Sequence, residues 1–313
     1  MAPIKVPETL KSDLPQNSWG KILGATPIIM TVIATLLAGL ASSEMTHAQF
    51  DRSTAAQLQS KVGDQWNFFQ GKKLRGAVQR STLDLMETTA EIHPLDRESL
   101  VNALAGTPAE AILATAGGKR ALAGLTEASL PKVEPAPGSA PSAALKQALG
   151  SLDGTQTDEE LAGVLSGISK EELEAGLRGA EAQAREFDAL NKPVGPAIAL
   201  IEKALLQRDA SPAARRNFVA ARITYEAARY DAEARLNQSV AGYYELQVHK
   251  ANLSADRHNK RSKRFFYGML AAQMGVVIAT LAMAARKRSL LWSISAAAGA
   301  VAVSFAFYVY LYT

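Results

Sequence analysis

The chain has 313 residues, 48% hydrophobic and 20% charged, with a net charge of +4 and no cysteine. The missing thiols exclude disulfides, thiolate zinc sites, iron–sulfur clusters and cysteine nucleophiles. The small net charge offers little electrostatic attraction for nucleic acid, and a mean hydropathy near zero hides an uneven distribution of apolar residues along the chain. Residues 1–19 form a polar tail with Pro3, Pro7 and Pro15, expected to be disordered. Residues 20–41 hold the first apolar stretch, uninterrupted from Ile22 to Ala41. Its length is the ~20 residues that a helix needs to cross a ~30 Å hydrocarbon layer. It exceeds the apolar core of a secretory signal and has one close basic residue, Lys21, so it reads as a signal-anchor. Trp19 marks its interface, and Pro27 falls in its first two turns, where a missing N–H costs least.

Residues 42–92 contain no proline and place Leu58, Val62, Trp66 and Phe69 on one helical stripe by spacings of 4, 4 and 3. His93-Pro94 ends the run. Residues 93–211 change character. Thr107–Leu130 reads as a short Ala-rich helix interrupted at Gly117-Gly118, and the proline-rich stretch 131–141 reads as an open linker. Thr157…Glu160 and Ser169…Glu172 each form a capping box that opens a helical segment, Thr157–Ile168 and Ser169–Ala180. One more amphipathic helix is expected over Pro196–Arg208. With few large apolar residues, these pieces are expected to make a small or flexible tip.

Residues 212–264 form a second proline-free helical run after Pro212, with Leu236, Val240 and Tyr243 spaced for one face. Two helical runs of equal length, one leaving a span and one entering the next, predict an antiparallel coiled-coil stalk. Residues 265–285 and 290–313 are two further apolar stretches, separated by the basic turn at 286–289. The predicted fold is therefore all-α: three transmembrane helices, with the stalk inserted between the first and second. Lys260, Arg261, Lys263 and Arg264 before the second span, and Arg286, Lys287 and Arg288 in the turn, read as lipid-headgroup anchors. Short loops weigh most in the positive-inside rule, so the basic turn favours a cytoplasmic N-terminus, with residues 42–264 outside the cytoplasm.

The spans carry no charged residue in their interiors, which argues against ion or proton relays within a single chain. They do carry small residues four apart: Ala34 and Ala38 in the first, Ala271, Gly275 and Ala279 in the second, Ala296 and Ala300 in the third. Such seams let helices approach closely, and Gln273 is placed to hydrogen-bond across one. No phosphate-binding glycine loop, nucleophile elbow or HExxH motif occurs. Glu44, His47 and Asp51 share one helix face just beyond the first span, which is half of a di-metal bundle site, and no second half is visible in the sequence. The plainer reading is a solvated face, so no catalytic residue, cofactor or metal ligand is assigned.

One segment carries a resemblance. A membrane helix, then Gly39-Leu40-Ala41-Ser42-Ser43-Glu44, then Asp64-Gln65-Trp66-Asn67-Phe68-Phe69-Gln70-Gly71-Lys72-Lys73, resembles the DUF4337 family of bacterial membrane proteins. The closing basic turn followed by Trp292 fits the same family. Phe69 stands where the family usually has Tyr, and Gly71 where it has Ala. The resemblance covers roughly residues 20–90 and 210–313, and the middle of the chain reads as an elaboration. It implies a bacterial inner-membrane setting and no activity. The expectation is a non-catalytic membrane scaffold or accessory subunit, a homo-oligomer or part of a larger membrane complex, with the lipid bilayer as its other partner and no nucleic acid. A homo-oligomeric channel or mechanosensitive assembly is the alternative, and a membrane metalloprotein built on Glu44, His47 and Asp51 a remoter one.

Overall fold

The computed structural model describes residues 18–134, 141–152, 157–207, 211–284 and 288–312, and those residues contain helices and no strand. In chain order the helices are α1 (Ser18–Thr89), α2 (Arg97–Leu104), α3 (Pro108–Leu113), α4 (Ala116–Glu127), α5 (Ala143–Leu152), α6 (Asp158–Ser166), α7 (Lys170–Asn191), α8 (Val194–Gln207), α9 (Pro212–Ala284) and α10 (Arg288–Tyr312). The contacts divide them into an apolar unit, residues 1–55 with 251–313, and a polar unit, residues 56–250. α1 and α9 each hold a stretch long and apolar enough to cross a membrane.

In the apolar unit the interior is built from small side chains. Ala34, Ala41, Ala272 and Ala302 are buried together with Met30, Leu37 and Phe265. Gly275 lies against Met30, Ala298 and Ser295, and Gly268 against Leu37. The hydroxyl of Ser295 donates to the carbonyl of Gly275 (2.9 Å), and that of Ser262 to the carbonyl of Ala41 (2.8 Å), so both polar groups are satisfied inside the packing. Large apolar side chains point outward instead: Ile28, Val32, Leu36, Met274, Val277, Leu281, Val301 and Phe307 are all exposed.

In the polar unit, α1 and α9 pair antiparallel through polar contacts. Trp66 Nε1 donates to Glu245 Oε1 (3.3 Å), Lys72 meets Glu233, and Gln79 Nε2 donates to Glu226 Oε2 (3.0 Å). The expected α1 stripe faces this pairing: Val62 is buried, and Leu58, Trp66 and Phe69 are half-buried. On α9, Val240 and Tyr243 are buried and Leu236 half-buried.

The described residues between 93 and 207 form short helices laid along α9. Gly124 sits on the Tyr225 ring, Glu202 binds Arg222, Gly176 sits on Tyr243, and Leu149 and Leu152 reach Gly242. Lys250 donates to the last carbonyls around α6, those of Leu165 and Ile168. These contacts cover Arg222 to Lys250, ~40 Å of helix at 1.5 Å per residue. The sequence undercounted the core because much of it comes from outside the segment: Phe218 and Tyr225 of α9 close a cluster with Leu100, Leu104, Leu122, Leu125, Val194, Ile198 and Ile201. The predicted break at Gly117-Gly118 falls earlier, between Leu113 and Ala116, where Thr115 caps α4 by accepting from the Gly118 N–H (3.0 Å). The two glycines are buried in the first turn of α4, where a Cβ on Gly117 would stand 2.9 Å from Pro193 Cβ. The Thr157–Glu160 capping box forms as expected, and Ser169 caps α7, which runs to Asn191 rather than Ala180.

Candidate functional site

The densest grouping of titratable side chains in the apolar unit lies just past the apolar part of α1. Glu44, His47 and Asp51 fall on one face because they are three and four residues apart. α9 supplies the missing complement, His258. Its Nδ1 donates to Glu44 Oε2 (2.5 Å), its Nε2 faces Asp51 Oδ2 (4.0 Å), and its ring stacks on His47 with centroids 5.3 Å apart. Arg261 Nη1 stands 4.0 Å from Glu44 Oε1, and Arg52 reaches Asp256 at 3.6 Å. The side chains of Glu44, Asp51 and His258 are 19%, 23% and 26% exposed, so the cluster is only partly wet. Both ring nitrogens face carboxylates. The arrangement clamps α1 to α9. Among the described residues no group of three histidine or acidic side chains is arranged to hold a metal ion.

Spacing along a single helix does not reveal His258, because its partners Glu44 and Asp51 lie on α1. Folding the chain as a hairpin would have found it: helical runs that leave one span at residue 42 and enter the next at 264 place position 258 opposite position 48.

A second cluster lies in the polar unit. Glu233, buried with its side chain 7% exposed, is held by Lys72 and by Arg229, whose Nε is 3.6 Å from Glu233 Oε1. Asp188 of α7 approaches the same group. Burial, with the Glu233 charge adding to it, raises its carboxyl above the ordinary range, while Lys72 and Arg229 oppose the shift. Tyr225 donates to Asn191 Oδ1 (2.8 Å), whose own amide donates to the Phe187 carbonyl (2.8 Å), and burial pushes the Tyr225 phenol up to about 12. Glu233 is thus paired with Lys72 and Arg229, and Tyr225 with Asn191.

The helix-packing candidates divide by face. Ala34, Gly275 and Ala279 are buried, and Ala38 and Ala271 are half-buried. Gln273, Ala296 and Ala300 are exposed and take no part in packing within the chain. Among the described side chains of α10, Ser295, Gly299 and Ala302 are buried, so the third seam lies about one residue from its expected phase. Of the basic candidates, Lys260 and Lys263 are exposed, Arg261 binds Glu44, and Arg264 lies over the Tyr308 ring (5.9 Å). Arg286 and Lys287 lie outside the described residues, as does the side chain of Arg288.

Neither the curated proteins nor the solved structures include a match to this chain. A family model described as a domain of unknown function (DUF4337) matches residues 19–115 and 197–312, and the chain belongs to that family.

Proposed function

We propose that this protein is a non-catalytic integral membrane scaffold or accessory subunit, set in the bilayer through its apolar unit and packed there against itself or a larger complex. The observation that carries this reading is the inverted packing of the apolar unit. Its interior is rich in alanine, glycine and serine around Met30, Leu37 and Phe265, while Ile28, Leu36, Met274, Leu281 and Phe307 face outward at 58–68% exposure. In water such a surface would drive aggregation. In lipid it is the expected outer face, and close backbone approach supplies the packing.

On this reading α10 is a third span. Its 25 residues suffice in length, and they follow the basic turn that favours a cytoplasmic N-terminus. The paired helices of the polar unit serve as an antiparallel coiled-coil stalk on the extracytoplasmic side of a bacterial inner membrane, and the basic residues before α9's apolar part bind headgroups. The exposed Gln273, Ala296 and Ala300 are available to a neighbouring helix.

The test is native mass spectrometry of the protein extracted gently from its own membrane. Stoichiometric association with larger membrane proteins, or a defined homo-oligomer, is expected. A monomer that alkaline carbonate washes off the membrane refutes the reading.

A further inference from the structure

Between α1 and α9, at the end of their apolar stretches, the apolar unit contains a groove of about 560 Å³, within the ~300–1,000 Å³ of ordinary ligand sites. Its walls are Ala38 and Ala41 of α1 and Phe266 and Met269 of α9, and its mouth is formed by Ser42 and Lys263. The groove exists because two alanines face a large ring: Ala38 and Ala41 leave a notch that Phe266, half exposed, borders without filling. The Ser262 hydroxyl satisfies the Ala41 carbonyl in the wall, leaving an apolar trough.

Two features identify the occupant. The first is a polarity gradient: because the helices are antiparallel, Ser42 and Lys263 share one end and Ala38 and Met269 the other. The second is charge. Lys263 stands at the mouth with Lys260 exposed one turn away, and Glu44, two residues from Ser42, is engaged by His258 and Arg261. The polar end is therefore net positive. We infer that this groove holds one anionic membrane phospholipid, its phosphate at Lys263 and the mouth hydroxyl, and an acyl chain along Ala38, Ala41 and Phe266. The inference rests on the bilayer reading above and adds to it a defined, stoichiometric lipid site.

The experiment titrates the full-length protein in mild detergent with phosphatidylglycerol or phosphatidylcholine and counts retained lipids by native mass spectrometry. One phosphatidylglycerol per chain should persist, with phosphatidylcholine occupancy lower by about fivefold, the contribution of one basic residue beside an anionic headgroup. Lys263→Gln should erase that preference, whereas the distant Lys203→Gln should leave it intact. Ser42→Trp, which fills the mouth without changing charge, should lower retention of both lipids. Equal retention of the two lipids, or Lys263→Gln behaving like Lys203→Gln, overturns the inference. Membrane extraction distinguishes the two levels. A chain that resists alkaline carbonate but retains no lipid defeats the groove alone, and a chain released by carbonate removes the bilayer reading beneath it.

Discussion

The Lys72–Glu233 pair offers a quantitative test of the polar unit. Lys72→Met keeps the length and apolar stem of the lysine and removes its charge, leaving a carboxylate whose side chain is 7% exposed. Deleting one partner of a buried pair costs about 3–5 kcal/mol. Here Arg229 remains 3.6 Å from the same carboxylate, and at an effective dielectric near 20 that contact retains about 4–5 kcal/mol of gross attraction. Asp188 acts in the opposite sense by repelling Glu233. The expected loss is therefore about 2 kcal/mol, below the lower end of that range. Removing both charges with Lys72→Met and Glu233→Met takes away the stranded carboxylate and lets Arg229 face Asp188, so the double variant should lie within about 1 kcal/mol of the parent. The assay is urea unfolding of the full chain in detergent, followed by tryptophan fluorescence in a background with Trp19 and Trp292 replaced by Phe, which leaves Trp66 as the sole reporter among the three tryptophans. A single-variant loss below about 0.5 kcal/mol, or a double variant no better than the single, would refute the argument.

Two further outcomes follow from the same unit. Gly176→Ala should cost about 1–3 kcal/mol in that urea assay, because its Cβ would stand 2.5 Å from Tyr243 Cε1 and 3.1 Å from Leu145 Cδ2, and the buried ring has no room to move. Gly71→Ala on α1, where a Cβ meets nothing, should instead stabilise by up to ~1 kcal/mol, and equal shifts would contradict the packing. Burial, and then the hydrogen bond donated to Glu181 (2.7 Å), push the Tyr244 phenol from 10.0 up to about 12. A raised folded pKa means stability that is complete below pH 10 and lost as pH climbs from 10 to about 12. Tyr244→Phe should remove that part of the alkaline loss of melting temperature, and parallel profiles for the two proteins would count against it.

The long-range plan was legible because it rests on strong periodic signals. The apolar runs Ile22–Ala41 and Phe265–Ala284 fall on the expected helices, and the stripe at Leu58, Val62, Trp66 and Phe69 falls on the expected face. Local chemistry was also readable: Thr157 and Ser169 cap the helices that their hydroxyls announced. What sequence could not supply was the identity of neighbours. An alanine seam has no phase signal when alanine surrounds it, so Ala296 and Ala300 were taken where Ser295 and Gly299 are buried. The middle segment looked too poor in large apolar residues because its core is completed by Phe218, Tyr225 and Tyr243 of a distant helix. His258 is legible only once α1 and α9 are paired as a hairpin, because its partners lie more than 200 residues away.

The layer laid along α9 also has an evolutionary consequence. The stretch between the two matched regions, residues 116–196, supplies Gly176, Glu181, Leu149 and Leu152, which cover Tyr243, Tyr244 and Gly242 of the matched α9. Segment and helix face are therefore expected to change together. A family member that has lost this stretch would leave two tyrosines and a bare glycine open to water, so drift there should replace the rings with polar or charged side chains and the glycine with alanine. Presence of the stretch and identity at positions 242–250 should co-vary across the family, as two parts of a single acquisition.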